Sequence, residues 1–280
     1  MSLDTFAHLC DALGLRSTDM VVPLTAYFDA SGTQDNHPVW AVGGWIAEVD
    51  QWKRFCIAWQ QMLDHAPFRA ALKPSDRIFH AAELESRQGI YSDWTEEQKR
   101  AFQEEAYTII DDLQLFPIST ALIKADYEAL KIRFAQFKQG HQGNYYLHSV
   151  HDVLKNVKNW LDEQRFEASV QYVLEAGTLG EKQVERLLTE ILNGDEERPF
   201  YHMRGYAMQR KDTLPLQAAD IWAYEAYKHM LNRIIAQPIT RDIRYPFRRL
   251  YRFRHIKFQT YWDRDNLGEL AHVYRDQLGG

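Results

Sequence analysis

Short runs rich in apolar and β-forming residues predict five β-strands, several of which end at turn-forming residues. The first predicted strand, Val21 to Phe28, ends at Asp29-Ala30-Ser31-Gly32, a sequence typical of a tight turn. The second strand follows closely enough to form a hairpin with the first. The predicted strands span residues 21–28, 38–49, 115–125, 169–174 and 201–209, and we expect the last of these to be the final strand of the sheet.

Helical periodicity of apolar residues recurs around and between these strands. Thr95 is placed to cap a helix, with Gln98 completing a capping box. Pro215 stands at the first turn of a long helix that is almost entirely apolar. The predicted helices span residues 3–13, 52–63, 95–112, 145–164, 181–192 and 215–235.

The order of these elements is a hairpin followed by alternating helices and strands. This order is typical of an α/β fold in which helices flank a mixed sheet. Two of the helices lie between the second and third strands and form a helical insertion after the first hairpin, at about residues 50–114. Since no repeat or linker divides the chain, we expect a single domain over residues 1–280, with a basic C-terminal extension at about residues 238–280.

The composition narrows the class of protein. A net charge of −6 argues against a uniformly basic surface but leaves room for a local basic patch. The two cysteines, Cys10 and Cys56, are too few and too far apart for a disulfide framework. The N-terminus does not resemble a signal peptide, and no apolar run approaches the roughly 20 residues of a membrane span. We therefore expect a soluble, cytoplasmic protein without a membrane partner.

Asp29 is a candidate site residue because it stands at the carboxyl end of the first predicted strand. Ligands of α/β sheets bind in the crevice at this edge, so an acid here points toward that crevice. An equally weighted interpretation is an Asx-turn, in which the carboxylate binds only its own backbone. Glu175 ends a later predicted strand and is also followed by small residues, Ala176 and Gly177. The repeated placement favours a shared site.

Asp220 lies in the long apolar helix, where Gln217 and Tyr224 share its face at helical spacing. A buried carboxylate requires a partner, which is either a metal ion or a nearby Arg or Lys. His80 and Glu83 lie in the insertion three residues apart, a spacing that places both on one side of a helix. That pair suits a metal or a general base, or else it is an ordinary surface pair.

Two further groups have open interpretations. His148, His151 and Asp152 have a spacing that can bind a transition metal, although a polar helix face accounts for them better. Arginines and aromatic residues alternate between residues 241 and 257, as in surfaces that bind phosphates and stack on bases. The equally weighted alternative is that these arginines pair with acids while the rings are core. The candidate nucleic-acid-binding residues are Arg248, Arg249, Arg252, Arg254 and Lys257.

Four motifs, taken in order, resemble the signatures of a large prokaryotic family, the domain-of-unknown-function family numbered thirty-eight hundred, of the ribonuclease H-like superfamily. The motifs are Tyr27-Phe28-Asp29-Ala30-Ser31-Gly32, Val42-Gly43-Gly44, Phe79-His80-Ala81-Ala82-Glu83-Leu84 and Leu216-Gln217-Ala218-Ala219-Asp220-Ile221. The resemblance spans most of the chain. In two places the chain departs from the family pattern: Ala30 replaces the Glu that commonly follows the first Asp, and Glu175 stands where Asp is frequent.

The resemblance implies a ribonuclease H-like sheet with a carboxylate cluster that binds Mg²⁺ or Mn²⁺. Asp29 and Asp220 would be the primary ligands, completed by Glu175 and Glu83. His80 would move a proton, and the roles of Ser31 and Gln217 would be to orient the ligands through hydrogen bonds. The expected function is a metal-dependent nuclease or another phosphodiester-processing enzyme acting on nucleic acid. The alternative is a non-catalytic module that uses the same fold to bind nucleic acid or protein in a mobile-element or defence setting.

Overall fold

The computed structural model describes residues 22–68, 72–133, 144–235, 244–251, 259–263 and 266. The predicted helix at residues 3–13 lies outside the described residues. The strands are β1 (Val22–Ser31), β2 (Val39–Glu48), β3 (Phe116–Ile123), β4 (Ala168–Glu175), β5 (Met203–Gln209) and β6 (Gln259–Trp262). The helices are α1 (Val49–His65), α2 (Ala81–Ser86), α3 (Glu96–Asp112), α4 (Lys124–Arg133), α5 (Tyr145–Gln164), α6 (Glu181–Asn193), α7 (Glu197–Phe200), α8 (Leu214–Ile235) and α9 (Tyr245–Tyr251).

The six strands form one mixed sheet in the order β5-β4-β1-β2-β3-β6. β1, β2 and β3 are antiparallel neighbours, as short connections permit, while β4 runs parallel to β1, β5 to β4 and β6 to β3. The parallel strands β1, β4 and β5 therefore all end at the same edge of the sheet. The prediction of an α/β fold with a mixed sheet flanked by helices is confirmed.

The prediction that the strand at 201–209 is the last one is wrong. β6 follows it and pairs with β3 from Ser119↔Gln259 to Leu122↔Trp262. Four residues are too few to establish an alternating pattern, so a strand of this length at the sheet edge gives almost no periodic signal. The helix α4, which directly follows β3, was also not predicted.

Alternation along β1 sends successive side chains to opposite faces of the sheet. Leu24, Ala26 and Phe28 join the core beneath α5 and α6. Thr25, Tyr27 and Asp29 point to the opposite face, which α1, α2, α3, α8 and α9 cover. The core on this opposite face contains many aromatic rings packed against one another. Asp29 is therefore a buried polar residue on a strand that helices cover on both faces.

Helix α8 approaches the sheet closely at β2. A Cβ atom on Gly43 would lie 2.8 Å from both Cα and N of Ala223 in that helix. The lack of a side chain at Gly43 and the small one at Ala223 set the distance between helix and sheet. None of the helices among the described residues is both long and apolar enough to span a bilayer.

We predict that Gly43→Ala lowers the free energy of unfolding by about 1–3 kcal/mol, the usual cost of overpacking. The reason is that backbone atoms of α8 occupy the position of the added methyl group, and they cannot move independently. Gly205→Ala in β5 is the matched control, since its new Cβ would meet only the flexible end of Gln171. Urea unfolding measures both. An equal loss in the two variants would contradict the close approach of α8.

Candidate active site

The two acids at strand ends lie side by side. Phe28 of β1 pairs with Leu174 of β4 in parallel register, so that Asp29 and Glu175 are the next residues along neighbouring strands. Adjacent residues in parallel register point to the same face. Asp29 is almost fully buried, whereas the Glu175 side chain is 21% exposed. One oxygen of Asp29 accepts a hydrogen bond from the amide of the next residue, Ala30, at 2.6 Å, whereas an Asx-turn uses the amide two residues on, and the other oxygen faces the site.

Asp220 reaches the same place from α8. The contact of Ala223 with Gly43, which pairs with Asp29, puts the preceding helical turn over the end of β1. Asp220 is 8% exposed, and its Oδ2 accepts a hydrogen bond from the Ala81 amide at 2.9 Å. The first turn of α2 is thereby fixed against the acid. Three of the four predicted acids converge at one edge of the sheet.

A lysine that the sequence analysis did not identify lies between these acids. Lys211 Nζ is 2.9 Å from Asp29 Oδ2, 3.4 Å from Glu175 Oε1 and 3.5 Å from Asp220 Oδ2. Lys211 follows β5 by two residues, and Gln209 at the end of β5 pairs with Glu175. The signal was present in the sequence, because a charged residue just after a parallel strand lies at the same edge as the acids.

The electrostatics of the cluster are dominated by burial. Desolvation raises the pKa of Asp29 to about 8 against the opposing charge of Lys211, and the neighbouring Glu175 raises it further. Burial likewise raises the pKa of Asp220 above its ordinary value. For Lys211 the three carboxylates outweigh burial, so its pKa lies above the usual value and the side chain is a cation. The cluster is thus one ammonium shared by three acids.

Gln217 connects the helical insertion to the loop that carries Lys211. This side chain is 1% exposed, and its Oε1 accepts hydrogen bonds from Trp59 Nε1 at 2.9 Å and from the Phe79 amide at 3.0 Å. Its Nε2 donates to the Lys211 carbonyl at 3.1 Å. Gln217 therefore positions the backbone on two sides of the cluster. Ser31 ends β1, paired with Ala41, and the hydrogen bonds found among the described residues do not link its side chain to the acids.

His80 and Glu83 lie beside the cluster. His80 is the N-cap residue of α2, its amide donates to the Tyr91 hydroxyl at 3.2 Å, and its charge acts on Asp220. The Tyr91 hydroxyl is within electrostatic range of both Asp220 and Glu83, whose charges add to burial in raising its pKa. Glu83 is in the first turn of α2, against Gly89. It is not among the acids that contact Lys211.

The histidines of α5 do not form a joint site. His151 Nε2 lies 2.9 Å from the Tyr201 hydroxyl, whereas His148 is buried with its Nε2 3.4 Å from Asp152 Oδ2. The two rings thus have different partners, and burial lowers the pKa of His148. The two histidines and Asp152 do not form a metal-site arrangement among the residues with described positions.

Two of the three arginines between residues 244 and 251 form ion pairs with acids of the same chain. Arg244 hydrogen-bonds both carboxylate oxygens of the buried Glu225 at 3.2 Å and Glu85 at 3.1 Å. Arg249 forms an ion pair with Asp111, and Phe247 stacks between Trp222 and His229. Arg248 is exposed. Arg252, Arg254 and Lys257 lie outside the described residues.

The chemistry of the oxygen donors in this cluster favours a metal ion, whereas their present spacing does not. Asp29, Glu175 and Asp220 supply only carboxylate oxygens, the donors that Mg²⁺ and Mn²⁺ prefer. Their oxygens surround Lys211 at distances suited to an ammonium, longer than the roughly 2.0–2.6 Å of metal–oxygen bonds. Among the residues with described positions, no group of three or more His, Cys, Asp or Glu side chains has the arrangement of a metal site. The residues fit a hard cation by chemistry, provided that Lys211 yields its place.

Comparisons of the chain with protein-family models, with curated proteins and with solved structures find no match.

We predict that metal-free protein loses stability as the pH rises from about 4 to about 8. Because the pKa of Asp29 is raised from 3.8 to about 8, the folded state holds a proton that the unfolded state releases. This contribution is complete below the unfolded value and is lost as the pH passes the folded one. One proton gives a slope of at most about 1.4 kcal/mol per pH unit.

Urea unfolding with chelator, at several pH values, measures this slope. Asp29→Asn removes the titrating group and should flatten the dependence, while Asp212→Asn, an exposed acid beside Lys211, should leave it unchanged. A wild-type slope that persists in Asp29→Asn would assign the buried proton to another group.

Proposed function

We propose that the chain is a divalent-metal-dependent enzyme of the ribonuclease H-like type that processes phosphodiesters, in the simplest case a nuclease. The observation that carries this proposal is the convergence of Asp29, Glu175 and Asp220 on one cation position. Buried acids that repel one another are costly to a fold and are typical of sites that bind a cation for chemistry. Their position at the carboxyl edge of a sheet is where ligands of α/β folds bind.

The architecture supports the same proposal. The antiparallel meander β1-β2-β3 is extended by the parallel strands β4 and β5, and α8 crosses the opposite face from α5 and α6. The acids come from two adjacent strands and this helix. That arrangement agrees with the ribonuclease H-like sheet and carboxylate cluster that the motifs imply.

Asp29, Glu175 and Asp220 would hold Mg²⁺ or Mn²⁺. When bound, such an ion activates a water nucleophile and neutralises the charge that develops on a phosphodiester. His80 lies near Asp220 at the edge of the cluster, where an imidazole can carry a proton to or from a reacting oxygen. The hydrogen bonds of Gln217 hold the backbone of Lys211 and the backbone of the insertion in place beside the acids.

A second candidate is favoured by Lys211 itself. Its ammonium already balances part of the charge of the cluster, as it would in a non-catalytic module whose acids serve only the fold. Such a module would bind nucleic acid or protein through another surface, for which exposed Arg248 is available. The two candidates differ in whether metal binds and whether turnover follows.

We predict that Asp29→Ala and Asp220→Ala each abolish Mg²⁺- or Mn²⁺-dependent cleavage, since each removes a buried oxygen ligand that has no substitute. Cleavage of labelled single-stranded DNA, double-stranded DNA and RNA measures the activity. Asp212→Asn, with the same loss of charge at an exposed position, should retain it. Full activity in either alanine variant would contradict the assignment, and inactivity of the wild type on every substrate would favour the non-catalytic module.

We also predict that Mn²⁺ raises the melting temperature of the wild type by mass action, equivalent to about 2.7 kcal/mol at a hundredfold excess over Kd. Asp220→Asn should respond much less. In chelator the variant should melt close to the wild type, because Asn still accepts the Ala81 hydrogen bond and two acids remain for Lys211. The second candidate, in which the acids serve only the fold, gives no metal response in the wild type.

A further inference from the structure

We infer that Lys211 is a built-in competitor of the metal: its ammonium occupies the cation position of the carboxylate cluster and must leave before a divalent ion binds. This inference rests on the proposed function for the identity of the incoming ion. It concerns a residue that none of the recognised motifs includes. Lys211 would set the metal affinity of the site without being a ligand.

The geometry makes the two cations mutually exclusive. Lys211 Nζ contacts one oxygen from each of Asp29, Glu175 and Asp220, at 2.9, 3.4 and 3.5 Å. A metal bound to the same oxygens at about 2.0–2.2 Å would occupy the same volume. An ammonium and a divalent ion within a few ångströms, in a site this buried, repel strongly. Only one of them can hold all three acids at a time.

The backbone around Lys211 is fixed, so displacement involves the side chain alone. Gln217 Nε2 donates to the Lys211 carbonyl, and Gln217 is itself held by Trp59 and by the amide of Phe79. A lysine has a flexible four-carbon stem that can swing about such a fixed point. The displaced ammonium would remain tethered beside the cluster, close enough to contact an anion that a metal there would hold.

Calorimetric titration of the full chain with Mn²⁺ tests the competition. Lys211→Met removes the ammonium while keeping much of the side-chain volume, and Arg210→Met is the matched control, because it removes the same charge from an exposed neighbour. We expect Lys211→Met to bind Mn²⁺ at least about tenfold more tightly than the wild type, a change worth ~1.4 kcal/mol. Arg210→Met should bind like the wild type.

A second measurement uses the wild type, in case three unbalanced acids prevent Lys211→Met from folding. Reductive methylation with mass spectrometry reports how available each lysine is. The Lys211 side chain is 15% exposed and ion-paired, so its labelling should be slow without metal and should rise when Mn²⁺ saturates the site. Lys53, at 69% exposure, is the internal reference and should not change. Unchanged labelling of Lys211 at saturation would overturn the inference.

The outcomes separate this inference from the proposed function. Equal or weaker Mn²⁺ binding by Lys211→Met, or an equal gain in Arg210→Met, overturns the competition and leaves a metal-dependent enzyme possible. Binding by Lys211→Met but not by the wild type supports the competition and overturns the proposed function of the native chain. Absence of binding in both proteins overturns both.

Discussion

Three acidic side chains, two of them buried, share the ammonium of Lys211, and the polar edge of the sheet depends on this interaction. Asp29 and Glu175 are forced together by strand register, and the close approach of α8 adds Asp220. Without a cation, the mutual repulsion of these acids and the loss of their hydration would work against the fold. Lys211 offsets that cost in the metal-free protein, so its loop, two strands and a helix depend on one charged group.

Much of this site could be predicted from the sequence, because all three of its acids have local signals. Asp29 and Glu175 end strands of clear composition, and Asp220 interrupts an apolar helix. Lys211 has a weaker signal, its place two residues after a predicted strand, since a lysine in a loop is normally solvated and only tertiary structure buries it. The strand β6 was missed for a similar reason, because its pairing with β3 is non-local and its four residues carry no period.

The arginines near the C-terminus show how composition alone can leave two interpretations open. Arg244 and Arg249, which stand in a stretch typical of a nucleic-acid-binding patch, are paired with Glu225, Glu85 and Asp111. Their acidic partners are up to 159 residues away in the chain, beyond the reach of a local pattern. Charge clustering in one segment therefore says little until the positions of its counter-charges are known.

The amide of Gln217 joins the backbone beside the carboxylate cluster to the backbone of the helical insertion. Its oxygen accepts a hydrogen bond from the Phe79 amide, just before α2, and its nitrogen donates one to the Lys211 carbonyl. If a partner shifted that backbone, the cost of moving Lys211 would change with it. Thermodynamic linkage would then require occupancy of the cluster to alter the affinity of that partner by the same factor.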